Sequence, residues 1–276
     1  MKLSIYTTVK NGIYLDYHVA AMLKHHLPLA DEIVVNEGFS TDGTLEAISN
    51  IDPKIKIFQT DWGKPDGQQW LVRFKEAAKQ RCTGDWCILL DCDEFIPEWE
   101  FDVIRDVLTH TDRHLYPVNF INFYGNHRTV HALPRKVGWP ARKMIIHRNI
   151  PEVEIWGDGS NVRIGPSQSP WDSPIWFTVH HFGFVRNAAR LREKWRNLLT
   201  QVYFPGKHFR IPSFLFDLWP HNWQDPQFLH DLALYEGKDV KAVREDPTEF
   251  VRDNWVLFHQ LSQDRETRNA RSSTGG

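Results

Sequence analysis

Trp86-Cys87-Ile88-Leu89-Leu90-Asp91-Cys92-Asp93-Glu94 is the stretch on which the fold turns. An almost continuous apolar run closed by three acids suits a central parallel strand, buried on both faces, whose carboxyl end carries charge. In open parallel sheets ligands bind beyond the carboxyl ends of the strands, so the acids stand where a ligand would. Period-2 alternation puts Asp91 and Asp93 on one side and turns Cys92 away. Two neighbouring carboxylates repel unless something positive lies between them. Hard oxygen ligands suit Mg²⁺ or Mn²⁺, which keep positions open for phosphate oxygens. The plain alternative is a solvated turn whose acids cap the next helix.

Working outward, the first half alternates strand and helix patterns, the mark of a mainly parallel α/β layer. Leu3 to Val9 reads as a strand, and Tyr14 to Leu27 as a helix with Leu15, Val19, Met22 and Leu23 at helical spacing, ended by Pro28. Glu32 to Asn36 is a short buried strand. The turn Glu37 to Thr44 leads from it into a helix over Leu45 to Ser49, with Thr41 and Asp42 as cap residues. Ile55 to Gln59 is a third strand and Gln68 to Gln80 a longer helix. Beyond Glu94, Phe101 to Thr109 reads as helix, and Leu115 to Phe123, Lys143 to His147 and Ile175 to His180 as strands. Pro151 to Pro174, rich in Gly, Pro, Ser and Asp, reads as loop. Ala188 to Val202 reads as an amphipathic helix with Leu191, Trp195, Leu198 and Leu199 on one face.

The 276 residues suffice for one large domain or a domain with a cap. Apolar residues at 41% and charged residues at 25% describe an ordinary globular chain, and a net charge of -2 lacks the basic footprint of a nucleic-acid binder. Three cysteines, odd in number and close along the chain, argue against a disulfide framework and for reduced thiols in a cytoplasmic protein. No signal region opens the chain, and no apolar run reaches the roughly 18 residues of a membrane span. Peripheral membrane contact remains compatible with this. Trp171, Trp176, Phe214, Phe216, Trp219 and Trp223 read as core packing ahead of a glycan platform or a lipid-facing surface.

Two motifs carry a resemblance. Asn36-Glu37-Gly38-Phe39-Ser40-Thr41-Asp42-Gly43-Thr44, and then Gly84-Asp85-Trp86 running into Asp91-Cys92-Asp93-Glu94, make Ser4 to Phe95 resemble the donor-binding half of GT-A glycosyltransferases, closest to family 2. The resemblance implies a Rossmann-like α/β fold with helices on both faces and a smaller, aromatic-rich helical C-terminal part. Residues 1–187 are expected to form the nucleotide-sugar-binding and catalytic domain and 188–263 a helical extension packed on it, while the polar composition of 264–276 reads as a disordered tail. It further implies that Asp93 binds the metal, with Asp91 on the ribose or in the metal shell. Glu37 falls near the nucleoside, Thr7 and Thr8 at the base, Asp42 in the donor-binding turn, and Arg73 facing the donor. The commoner family pattern has two acids where this chain has Asn36 and Glu37.

Thr178-Val179-His180-His181-Phe182-Gly183-Phe184-Val185-Arg186 follows a strand pattern, and adjacent strand residues point opposite ways, so one histidine of the pair reaches the metal. His-Phe-Gly-Phe is similar to the family's late histidine motif, which favours His181 over His180. A guanidinium at Arg186 matches two phosphate oxygens at once. Inversion, also implied by the resemblance, requires a base opposite the leaving diphosphate. Among Glu152, Glu154 and Asp158, the flanking glycines and nearby Trp156 favour Asp158. The function expected is metal-dependent transfer from a UDP- or GDP-linked sugar to a glycan or lipid-linked acceptor. A sugar nucleotidyltransferase is the first rival, weakened by the glycine-poor Tyr6 to Gly12, and a non-catalytic carbohydrate-binding protein the second.

Overall fold

The computed structural model describes residues 1–67, 69–131, 142–165, 173–197 and 232–251. Ten strands form one mixed sheet among them. Its core is β1 (Leu3–Val9), β2 (Glu32–Glu37), β3 (Ile55–Gln59) and β4 (Trp86–Leu89), parallel in the order β3-β2-β1-β4. Every residue of β1, β2 and β4 is buried, so both faces of the sheet are covered there. Helix α1 (Val19–His26) buries Met22 and Leu23, α2 (Thr44–Ser49) buries Ile48, and α3 (Trp70–Lys79) packs on β1 and β2. This is the α/β layer of the GT-A expectation.

Past β4 the sheet turns antiparallel. After the two-residue β5 (Glu94–Phe95) and α4 (Phe101–His110) come β6 (Leu115–Tyr124), β7 (Asn126–His131) and β8 (Arg142–Arg148). Strand β8 runs antiparallel between β4 and the first half of β6, and β7 pairs antiparallel with the end of β6. Strand β11 (Phe177–Phe184) lies parallel to β6 and antiparallel to β5, with His180 opposite Phe95 and His181 opposite Glu94. That register carries a late segment of chain to the acidic cluster.

Two expectations need correction. Residues 151–174 hold a hairpin, β9 (Val153–Trp156) and β10 (Asn161–Ile164), turned through Gly157 at φ +74° and Gly159 at φ +91°. Glycine-rich composition marked the turn and hid the strands beside it, whose Val153, Ile155 and Val162 are buried. Helix α1 starts at Val19 rather than Tyr14, because the preceding chain folds into a turn with Asp16 at φ +58°. In the C-terminal third the described residues are only partly helical. They give β12 (Leu232–Leu234) paired to β7, a short α6 (Lys241–Glu245) and a 3₁₀ turn, Pro247–Phe250. Helix α5 spans Ala188–Asn197; Leu198, Leu199, Phe214, Phe216, Trp219, Trp223 and the tail 264–276 lie outside the described residues. No helix of the described residues is long and apolar enough to cross a membrane. Cys82, Cys87 and Cys92 are free and buried.

Candidate functional site

The cluster after β4 is a meeting of charges. Asp93 is 1% exposed, and its Oδ2 accepts from the Arg186 guanidinium, with Lys194 of α5 3.7 Å away. Glu94 is buried too, and Lys143 of β8 donates to its Oε1 at 2.7 Å. Asp91, with a side chain 34% exposed, pairs with Lys75 of α3 at 2.5 Å. Burial alone would raise the Asp93 carboxyl, but Lys194 and Arg186 hold it well below the usual range. Burial wins at Glu94, whose carboxyl is raised against the pull of Lys143. Asp91 and Asp93 therefore part company: one faces α3, the other α5.

His181 completes the group. Its Nδ1–H donates to Asn122 Oδ1 at 2.7 Å, which leaves the Nε2 lone pair facing Asp93 Oδ1 at 3.7 Å. Burial pushes its pKa down to about 3, against the pull of Asp93, so the ring is neutral at physiological pH. A lone pair and a carboxylate oxygen aimed at each other without a proton between them make a slot for a cation. Asp93, Glu94 and His181 each offer one ligand atom, all within 4.8 Å of one another. Two oxygens and an imidazole nitrogen suit Mn²⁺ or Mg²⁺, and the hydrogen bond from His181 Nδ1 to Asn122 fixes the tautomer a metal needs. His180 is a correction: alternation turns it to the opposite face, where it packs on Phe123 and meets the Tyr235 hydroxyl at 3.2 Å. It cannot share His181's cation.

Several expected donor contacts are already committed inside the protein. Glu37 accepts from the backbone N–H of Phe39 and Ser40 and from Gln59 Nε2, at 3.0, 2.8 and 2.7 Å. It builds its own turn instead of awaiting a nucleoside. Asp42 likewise accepts from the Tyr14 N–H at 2.6 Å and the Thr44 N–H at 3.0 Å, tying that turn to the β1–α1 connection. Thr7 is buried with its hydroxyl 3.6 Å from Cys92 Sγ, and Thr8 is 9% exposed, its carbonyl accepting from that thiol. Arg73 points outward and pairs with Asp66 at 2.9 Å. Arg186 donates to Gly183 O and Leu15 O and lies 3.6 Å over the Tyr17 ring, a strut for Asp93 rather than a free phosphate clamp.

Asp158 sits in the β9–β10 turn, half-buried, accepting from the Ser160 N–H at 3.1 Å. Lys75 Nζ donates to Gly159 O at 3.0 Å as well as to Asp91, and Gln69 Nε2 to Gly157 O at 3.2 Å, so the turn is docked beside the cluster. Trp156 is 52% exposed on the same hairpin. The residues missed from sequence are the lysines Lys75, Lys143 and Lys194. Their signal was present: Lys75 falls between Leu71 and Ala78 on the apolar stripe of α3, and Lys143 opens the apolar run Met144-Ile145-Ile146. A lysine on a buried face has to meet an anion.

No protein-family model and no curated protein matches the chain. Solved structures similar to it include S. aureus TarS 1–349 with UDP-GlcNAc, at 13% identity over 84% of this chain and 79% of that one, with a TM-score of 0.40. The UDP complex of the same TarS fragment aligns at 20% identity over 54% of this chain, with a TM-score of 0.35, and the match spans 47% of TarS 1–349, about half its length. Glucosyl-3-phosphoglycerate synthase from Mycobacterium tuberculosis, with Mn²⁺, UDP-glucose and phosphoglyceric acid, aligns at 17% identity over 44% of each chain, with a TM-score of 0.32. With scores this low, the reading of the site rests on its own geometry.

Proposed function

We propose that the chain is a divalent-metal-dependent glycosyltransferase that moves a sugar from a UDP- or GDP-linked donor to a hydroxyl of a glycan or lipid-linked acceptor, with inversion. The observation that carries the reading is the His181–Asp93 slot, 3.7 Å wide, at the carboxyl end of the central parallel strands. Asp93 and His181 would hold the ion, with Glu94 alongside. A bound Mn²⁺ or Mg²⁺ supplies electrostatic stabilisation of the charge that develops on a departing diphosphate. Asp91, the most exposed acid of the three, would meet a ribose hydroxyl of the donor. Asp158 acts as the base, taking the acceptor's proton as its oxygen attacks, and exposed Trp156 offers the acceptor a ring face. Cytoplasmic location agrees with three reduced thiols.

The test is sugar release and transfer from a panel of nucleotide-sugars, with and without Mn²⁺. Mn²⁺-dependent turnover of a UDP- or GDP-sugar is expected, and its absence across the panel would overturn the reading. Asp158→Asn should bind donor normally and transfer about 10²-fold more slowly. Near-normal turnover at saturating donor would remove Asp158 as the base.

Gly183 bears on the same slot. A Cβ there would lie 2.3 Å from His181 Nε2 and 2.7 Å from Cε1, so only glycine leaves the ring where it stands. Gly183→Ala is expected to displace the imidazole and weaken Mn²⁺ binding about tenfold or more, as loss of ligand orientation does elsewhere. Electron paramagnetic resonance of free Mn²⁺ reads this directly, and an unchanged affinity would take His181 out of the ligand set.

A further inference from the structure

The charges around the cluster are unevenly matched. Asp91 has Lys75 at 2.5 Å, Glu94 has Lys143 at 2.7 Å, and Asp93 has Arg186. Lys194 is the fourth cation beside these three carboxylates among the described residues, and each carboxylate already has a closer cationic partner. Its ammonium stands 3.7 Å from Asp93 Oδ2, beyond hydrogen-bond reach, at an oxygen Arg186 already occupies. It also lies 5.1 Å from the Tyr17 ring centroid. Among the described residues nothing accepts a hydrogen bond from it, although an ammonium carries three donors. Only 22% of the side chain is exposed, so water replaces little of what it lacks. A mostly buried cation with no acceptor is costly and is relieved by an anion. Arg186, by contrast, has its Nε, Nη1 and Nη2 all engaged within the protein.

We propose that Lys194, and not Arg186, is the cation that binds the diphosphate of the donor, so that α5 completes the nucleotide-sugar site. The inference rests on the nucleotide-sugar reading for the identity of its anion. Its chemistry, a lone ammonium facing a pyrophosphate group beside Asp93, can be measured without that reading.

Calorimetric titration of the full chain with inorganic pyrophosphate, in metal-free buffer of low ionic strength, is the test. Wild type is expected to bind, and Lys194→Met to bind about tenfold or more weakly, the loss expected for one charged hydrogen bond. Lys194→Arg should retain most of the affinity, and Lys24→Met, a surface charge on α1, should change nothing. Lys194→Met gives up its ion pair with Asp93 but no hydrogen bond among the described residues, and its melting temperature, measured alongside, separates a loss of binding from a loss of folding. Equal binding by Lys194→Met, or no pyrophosphate binding by wild type, overturns the proposal. Donor turnover is scored separately. Turnover with Lys194-independent pyrophosphate binding sinks this inference alone, and Lys194-dependent binding without turnover of any donor sinks the transferase reading alone.

Discussion

Asparagine in place of Asp93 is expected to lower both the melting temperature and sugar transfer, the second by orders of magnitude. The two losses have different causes. Arg186 is fully buried, and the Asp93 carboxylate is the only charge it touches among the described residues, so the neutral amide leaves a guanidinium in the core without that counter-charge. Breaking a buried pair from one side costs about 3–5 kcal/mol. The lower end applies, because Arg186 keeps its bonds to Gly183 O and Leu15 O and its place over Tyr17. Transfer falls further because the same substitution removes an anionic ligand from the His181 slot, and electrostatic stabilisers of a leaving group are worth about 10²–10³ in rate. Differential scanning calorimetry and Mn²⁺-dependent transfer, assayed well below the melting temperature, read the two losses apart. An unchanged melting point would refute the strut, and unchanged transfer would refute the metal role.

Acid should unfold the protein sharply between pH 6.5 and 5. Four buried histidines away from the proposed cation slot are held neutral. Burial lowers His25 and lowers His26 strongly, and brings His147 and His180 down to about 4. A base whose pKa is lower folded than unfolded takes its proton preferentially in the unfolded chain. Stability is thus intact above the unfolded value near 6.5 and is lost as pH falls from there toward the folded values. A histidine whose folded value lies below the window, as at His147 and His180, contributes about 1.4 kcal/mol per pH unit across it, against a total stability on the order of 5–15 kcal/mol. Glu94 and Glu100, whose carboxyls burial raises, take up protons in the folded state and offset part of this. Hydrogen bonding makes the effect structural as well. His26 Nε2 accepts from the Ile96 N–H at 3.0 Å, and His25 Nε2–H donates to Ile96 O at 2.7 Å, so the pair brackets the residue after β5. Protonating His26 destroys that acceptor beside the acidic cluster. Thermal melts from pH 8 to 5 measure the slope, and a flat melting temperature over that range would refute it. His26→Gln, which keeps a side-chain acceptor but no titration, should reduce the slope.

What the sequence by itself determined was local. The apolar run Trp86 to Leu90 had to be a buried strand, and Asp91-Cys92-Asp93-Glu94 had to stand at its end, because strand burial and side-chain alternation are properties of neighbouring residues. Alternation also decided that only one of His180 and His181 could face the cluster. The partners of those residues could not be read in the same way. Lys143 and Glu94 are 49 positions apart and Arg186 and Asp93 are 93 apart, joined only when β8 enters the sheet beside β4 and β11 pairs with β5. Tertiary structure therefore decided that Glu37 folds its own turn, that Arg73 looks outward, and that Arg186 braces Asp93 while Lys194 finds no acceptor among the described residues. Composition and spacing place charges along a chain. Which charge is neutralised, and which is left for a ligand, depends on the strand register that packs them together.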